Sequence, residues 1–348
     1  MTDIAESVLH AESVPHRVPA EWEPQSAIWL SWPHNLETWP GRFDAIPAFF
    51  ADWAKLIAES TPVRLLAPQE LAKQCERDFT GQPNIDVIDV ATNDCWIRDY
   101  GPTFVQNPDR KISAVNWRYN SWGGKYPPWD LDDAAGEKMC AAIGLACRQG
   151  ALCLEGGALE LDGRGRLLTT PTCLVTETRN PGWTEQAISL ELHQQLGVQE
   201  IVWLDGGGLA GDDTDGHIDQ LARFIDQENV VVAVSEHQDD PSAAGLRANQ
   251  RQLEIWATTT TPRVRVHRLP IPPPRLIDGQ RVPESYCNFL RLGPDRILVP
   301  AFGSKTDQHA LRILQELSGA EATAVDCRDL VWGLGALHCA SRDQPAET

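Results

Sequence analysis

The sequence predicts a mixed α/β fold, and three observations carry that prediction. Four stretches read as hairpins, each with two apolar arms around a turn of Asp, Gly, Pro or Asn. A segment with helical spacing of apolar residues follows each hairpin. Most of those helices are followed in turn by a short apolar strand.

Taken in order, residues 1–20 carry Pro, Ser, Glu and His without periodicity and read as a mobile leader. No linker or low-complexity tract interrupts the rest of the chain, so residues 21–345 are expected to form a single domain. It starts with one unpaired arm, SAIWLSW, then the helix Asp44–Glu59 and the strand VRLLA. The hairpin PTFVQNPDRKISAVNW precedes a helix near Asp132–Ile143. ALELDGRGRLLTT precedes Thr184–Leu196 and the strand IVWL. IDQLARFIDQENVVVAV precedes Ala243–Thr258 and VRVH, and NFLRLGPDRILVPAF precedes Asp307–Leu317 and TAVD. The chain then ends on a second unpaired arm, LHCAS. If the two single arms pair, five units of roughly 50–65 residues close into a ring, the way propeller-like folds appear in sequence. An open α/β sheet with antiparallel edges fits the same pattern.

Composition narrows the partners. With 30 Lys and Arg against 49 Asp and Glu, the formal charge is −19. That excess argues against nucleic acid and anionic membrane, which need basic side chains to neutralise phosphate. It suits a cationic ligand, which a negative field attracts. No apolar run is long enough to span a membrane, and no secretory pattern opens the chain. The nine cysteines are therefore expected as free thiols in a reducing cytoplasm. With no CxxC pair and no HExxH, a zinc site is not expected. Self-association into a homo-oligomer is compatible with the sequence.

Four Gly-punctuated segments concentrate reactive side chains near hairpin starts: NDCWIRDYGP, LEGGALEL, GDDTDGHID and GLGALHC. Singly, each has an ordinary reading. Asp99 before Tyr-Gly-Pro fits a turn acid. Glu155-Gly-Gly fits a tight turn, Trp96 is one of thirteen tryptophans, and Cys339 one of nine thiols. The acids of GDDTDGHID lack calcium-loop spacing, and GLGALH and GGGLAG lack dinucleotide spacing.

Jointly they have a chemical logic. A Cys339 thiolate nucleophile needs a base or cation beside it, which His217 can supply. His217 in turn needs an acid to orient it, for which Glu155 is available. Asp99 and Asp219 would be surplus in an ordinary cysteine amidase. They make sense for a guanidinium, which is planar, permanently charged and rich in N–H donors. Two carboxylates gripping different edges would hold its carbon against the sulfur. On a strand, His217 and Asp219 would share one face.

At these residues the sequence resembles the agmatine deiminase and bacterial-type peptidylarginine deiminase family of guanidine-modifying enzymes. The resemblance runs from about Glu21 to Pro345. It is carried by AEWEPQSAIWLSWPHN, NDCWIRDYGPTFV, NSWGGKYPPWDLDD, LEGGALELDGRGRLLTTPTCLV, GDDTDGHIDQLARF and the terminal LHC. It implies a five-bladed, pseudo-symmetric α/β propeller of the pentein type, with a small cationic guanidino substrate and no cofactor. It implies Cys339 as nucleophile, His217 as general acid and base, Glu155 as the supporting acid, and Asp99 and Asp219 as the guanidinium carboxylates. Trp96 falls on an aromatic position covering the aliphatic part of the substrate, and Asp213 on a supporting position. The activity implied is conversion of agmatine and water to N-carbamoylputrescine and ammonia. The same residues would serve a peptidylarginine deiminase, an amidinotransferase or a non-catalytic binder of guanidino compounds. Leu334 and Ala336 stand where the family often has Gly and Asn, Asp215 where Asn is frequent, and Cys95 and Tyr100 where Ser and Thr occur. These departures bear on the choice of substrate.

Overall fold

The computed structural model describes residues 16–347. The fold is mixed α/β, built from a repeated unit: a hairpin, a crossover helix, and a third strand parallel to the hairpin's second arm. The first unit holds β1 (Gln25–Ser31), β2 (Val63–Ala67) and β3 (Ile85–Asp89), all parallel neighbours. Four further three-stranded sheets complete the series. They comprise β4 (Thr103–Gln106), β5 (Ile112–Arg118) and β6 (Cys147–Cys153); then β7 (Glu160–Leu161), β8 (Arg166–Thr169) and β9 (Glu200–Trp203). Next come β10 (Ala222–Phe224), β11 (Asn229–Val234) and β12 (Arg265–Pro270). After a small hairpin of β13 (Leu276–Ile277) and β14 (Gln280–Arg281), the last sheet holds β15 (Leu290–Leu292), β16 (Arg296–Ala301) and β17 (Glu321–Asp326). In each of the four, the first pair is antiparallel and the second parallel. The terminal strand β18 (Ser341–Pro345) returns to pair antiparallel with β1, placing Leu30 opposite Ser341. The two single arms therefore meet.

The crossover helices follow their apolar spacing. Ile46–Ala58 buries Ile46, Phe50, Trp53, Ala54 and Ile57, one stripe at three- and four-residue intervals. Glu185–Leu196 starts on a Thr184 hydroxyl that accepts from the Ala187 N–H, buries Ile188, Leu192 and Leu196, and stops at Gly197 in the left-handed region. Asp307–Ser318 ends the same way at Gly319.

Two expectations need correction. The C-terminal arm is Ser341–Pro345, displaced from LHCAS; residues 337–340 turn instead, with Ala340 N–H donating to the Ala336 carbonyl. The first unit also gains a second helix, Gln69–Asp78, before β3. Its buried face is only Ala72 and Cys75, too weak a stripe to announce a core helix. Of the leader, residues 1–15 lie outside the described range. Arg17 exchanges main-chain hydrogen bonds with Gln106 and ion-pairs with Glu23.

A further regularity positions the chemistry. Immediately before the first arm of each three-stranded sheet sits a one-turn helix: Ile97–Tyr100, Gly156–Ala158, Ile218–Gln220 and Tyr286–Asn288. The turn at 336–340 before β18 is the fifth such position. Asp99, Asp219, Asn288 and Cys339 lie on these turns, while Glu155 and His217 immediately precede two of them. Residues spread over 240 positions of sequence are thereby delivered to one place.

Candidate active site

The five turns converge on the inner end of a cavity of about 680 Å³, and Trp96, Asp99, Asp213 and Cys339 line it. Glu155, His217 and Asp219 are fully buried against this end and do not line the open space.

Cys339 is fixed by Asn288. The Asn288 Oδ1 accepts from the backbone N–H of both His338 (3.0 Å) and Cys339 (3.2 Å), while its Nδ2 lies 3.0 Å from the Cys339 sulfur and 3.2 Å from Asp219 Oδ2. Asp219 Oδ2 is itself 3.5 Å from that sulfur. Burial, together with the charges of Asp219 and Asp99, pushes the thiol well above its ordinary range. Those carboxylates would hold an arriving cation beside the sulfur, and a cation there reverses the shift.

His217 sits between two acids. Its Nδ1 is 3.6 Å from Asp99 Oδ1 and its Nε2 is 3.8 Å from Glu155 Oε2. Burial pulls its pKa down, but the Asp99 charge and the neighbouring Glu155 overcome that and carry it up to about 9. The ring is therefore an imidazolium at neutral pH. It does not share a strand face with Asp219, because Ile218–Gln220 is a helical turn and not extended chain. The turn sends His217 toward Asp99 and Glu155, and Asp219 toward Cys339.

Asp99 accepts from the Gly157 N–H at 3.0 Å on Oδ1 and from Trp122 Nε1 at 2.9 Å on Oδ2. Burial, opposed by His217 and aided by Asp219 and Glu155, raises its carboxyl to about 6. A side chain at position 157 would start 2.5 Å from the His217 ring and 2.7 Å from Asp99, so this wall requires glycine. Glu155 accepts on Oε1 from Arg179 Nε at 2.7 Å. Burial disfavours its charge, yet His217 and Arg179 hold its pKa below the usual value. Glu155 Oε2, Asp219 Oδ1 and both His217 ring nitrogens are buried without hydrogen-bond partners. Unpaired polar atoms of this kind are costly; the two carboxylate oxygens are acceptors open to a ligand's N–H groups, and the two imidazolium nitrogens are donors.

Trp96 packs against Trp39, ring centroids 5.6 Å apart, and forms one wall beside Gly333 and Gly335. Asp213 stands further out and accepts from Tyr126 Oη at 2.5 Å. Asp215 bridges Arg179 and Lys125, each at 2.8 Å, an ion pairing that an asparagine there could not make. Leu334 lines the cavity at φ +68, a conformation its branched side chain disfavours by roughly 1–2 kcal/mol and glycine adopts freely.

The five residues expected to carry chemistry are thus brought together, with Trp96 beside them and Asp213 nearer the entrance. Sequence reasoning missed Asn288, Trp122 and Arg179, and gave His338 no role. Asn288 had a positional signal only: it opens the hairpin NFLRLGPDRILVPAF, at the start of a unit, where other units carry acids. Trp122 sits in NSWGGKYPP, whose glycines mark a special turn, and residues 121–124 do adopt positive φ. Arg179 had none.

Among the described residues, no group of three or more His, Cys, Asp or Glu side chains is arranged to hold a metal ion. Five carboxylates line the cavity, Glu37, Asp94, Asp99, Asp132 and Asp213, against one basic side chain, Lys125. Lys125 is already committed to Asp215 and to the Asp213 carbonyl.

Residues 17–345 match the family model described as Porphyromonas-type peptidyl-arginine deiminase. The chain is 34% identical over 356 residues to the agmatine deiminase of Pseudomonas aeruginosa, covering 95% of each. Its fold superposes on the agmatine deiminase of Enterococcus faecalis with a TM-score of 0.88 at 30% identity, covering 96% of this chain and 97% of that one. A cysteine-to-serine variant of the C. jejuni agmatine deiminase with substrate bound gives a TM-score of 0.87 at 28% identity, covering 95% and 97%.

Proposed function

The chain belongs to the Porphyromonas-type peptidyl-arginine deiminase family, and from that premise we propose that it is an agmatine deiminase. The observation that carries this reading is a reactive sulfur at the closed end of an acid-lined cavity whose one basic side chain among the described residues is already ion-paired. A guanidinium at one end of the substrate and an ammonium at the other both meet negative charge. Free arginine would bring a carboxylate into the same acid-lined space, where Lys125, the one basic side chain lining it among the described residues, is already paired with Asp215. The five repeated units, each delivering one turn to the site, are best understood as a five-bladed α/β propeller closed by β1 and β18. Residues 21–345 make its single catalytic domain.

The chemistry follows from the placements. The guanidinium binds between Asp99 and Asp219 Oδ1, with Trp96 against the aliphatic chain. Its charge lowers the Cys339 thiol, whose proton passes to solvent, and the thiolate attacks the guanidinium carbon. The tetrahedral adduct collapses as His217 gives its proton to a departing nitrogen, releasing ammonia and leaving an amidino group on sulfur. His217, now neutral, takes a proton from water, and the resulting hydroxide adds to the amidino carbon. The C–S bond breaks as the added hydroxyl gives its proton to the departing sulfur, freeing the ureido product and the Cys339 thiol. Glu155 and Asp99 keep the imidazolium available for the first half of the cycle.

Ammonia release from agmatine, free arginine and a blocked arginyl peptide tests the assignment. Agmatine is expected to be turned over well ahead of the other two. Turnover of the peptide in preference to agmatine would move the assignment to a peptidylarginine deiminase.

The Trp122 contact gives a narrower test. Trp122→Phe keeps an aromatic ring against Tyr119 and Tyr126 but leaves Asp99 Oδ2 without its donor. Hydrogen bonds to charged groups contribute about 1.5–3 kcal/mol, so kcat/KM is expected to fall by roughly 10- to 150-fold. An unchanged kcat/KM would show that the indole N–H does not orient Asp99.

A further inference from the structure

His338 precedes the sulfur-bearing residue in the chain, but its side chain points away from the cavity into the protein. It is fully buried and meets a carboxylate at each nitrogen. Nδ1 is 2.8 Å from Asp219 Oδ2, and Nε2 is 2.7 Å from Glu21 Oε1. Both ring nitrogens are thereby engaged, and the ring is pinned between the two carboxylates. Glu21 comes from the segment before β1 and is held in its charged form by Arg223 Nη2 at 2.6 Å and Arg98 Nη1 at 3.2 Å. Arg98 also anchors the backbone here, donating from Nε to the His338 carbonyl at 3.1 Å.

The consequence falls on Asp219. Its Oδ2 is taken by His338 and Asn288, while Oδ1 is buried with no partner. A carboxylate free to rotate about its terminal bond would exchange these oxygens. Clamped on one side by the His338 ring and Asn288, it presents a single lone-pair edge. Burial opposes charge on Asp219, yet its pKa is lowered, His338 contributing most, with His217 and Arg223 adding to it.

We propose that His338, braced by Glu21, is a positioning residue that fixes Asp219 Oδ2 and leaves Oδ1 as the oxygen offered to the guanidinium. This rests on the reading of Asp219 as a guanidinium-binding carboxylate. It goes beyond that reading by assigning the site a second tier, His338 on the fifth turn and Glu21 from the segment before β1. His338 touches neither substrate nor sulfur; it acts through Asp219. The surrounding ion pairs of Arg223 with Glu160 and Arg98 with Asp343 do not involve it, so a purely structural role would leave substrate affinity alone.

Steady-state kinetics with agmatine, across pH, on the full-length enzyme and on His338→Gln and Glu21→Gln separate the two roles. Glutamine at 338 can still donate to Asp219 but carries no charge. KM is expected to rise about 10-fold or more in His338→Gln, with a smaller change in kcat. The foot of the acid limb of kcat/KM, below the Asp99 transition near pH 6, should move up as Asp219 loses the ring that favours its charge. Glu21→Gln should shift both quantities the same way by less, and it carries the test if His338→Gln does not fold. KM and acid limb unchanged in the folded variants would overturn the positioning role, even if thermal stability dropped. Failure of the unmodified enzyme to bind or turn over agmatine would instead overturn the deiminase reading, and this inference with it.

Discussion

Replacing Cys339 by serine is expected to abolish ammonia release from agmatine, by about 10⁴-fold or more, while agmatine still binds. Among the described residues, this sulfur is the only polarisable nucleophile lining the cavity, and Asn288 holds Cys339 through two contacts, to its sulfur and its backbone N–H, that a serine would largely keep. What serine cannot reproduce is the response to substrate. In the free enzyme the Cys339 thiol is held protonated by burial and by the charges of Asp219 and Asp99. A guanidinium bound to those same carboxylates cancels the field that keeps the proton on. A hydroxyl starts so much higher that the same electrostatic relief leaves it protonated. The measurement is paired: ammonia production for chemistry and calorimetry for binding. A variant that retains near-normal rates would exclude Cys339 as nucleophile. Loss of both binding and activity would assign it to the architecture of the pocket.

That pairing of sulfur with distant acids shows what could be read in the sequence. Asp99, Glu155, His217, Asp219 and Cys339 stood out because each is chemically conspicuous and lies next to glycine or a hairpin start. The hairpin arms were legible for the same local reasons: alternating or continuous apolar residues around turn formers. Convergence was not legible, because it depends on where successive sheets place their leading turns. Asn288 illustrates the limit. It occupies the equivalent turn in its unit and touches the sulfur, yet an asparagine before an apolar strand carries no chemical signal of its own. His338 was visible beside Cys339, but whether it faced the cavity or the interior depended on the turn at 336–340. The helix Gln69–Asp78 was missed for a different reason. It lies mostly in solvent, so its sequence records little of the core it covers.

Asp99→Asn is expected to lower kcat/KM by the equivalent of about 2–5 kcal/mol, or roughly 30- to 5,000-fold, and to change two titrations at once. In the Cys339→Ser background, where no thiol titrates, agmatine affinity should fall as pH drops through about 6. Asp99 gains its proton there, whereas the guanidinium stays charged throughout. Above about pH 9 the sign reverses. His217 loses its proton, a cation leaves the site, and affinity for the cationic substrate should rise. The Asp99 charge is the largest influence raising His217, ahead of Glu155 and Asp219. Neutralising residue 99 should therefore erase the transition near pH 6 and move the His217 transition downward, toward the ordinary imidazole value near 6.5. The same coupling operates in turnover. When a guanidinium neutralises Asp99, the imidazolium loses the partner that held its proton and becomes acidic enough to give it to the departing nitrogen. Calorimetric titrations between pH 5 and 10, with ring-proton chemical shifts of His217, would follow both steps. An acid transition that persists unchanged in Asp99→Asn would assign it to another carboxylate. A His217 transition that stays near pH 9 would show that Glu155 and Asp219 sustain it without Asp99.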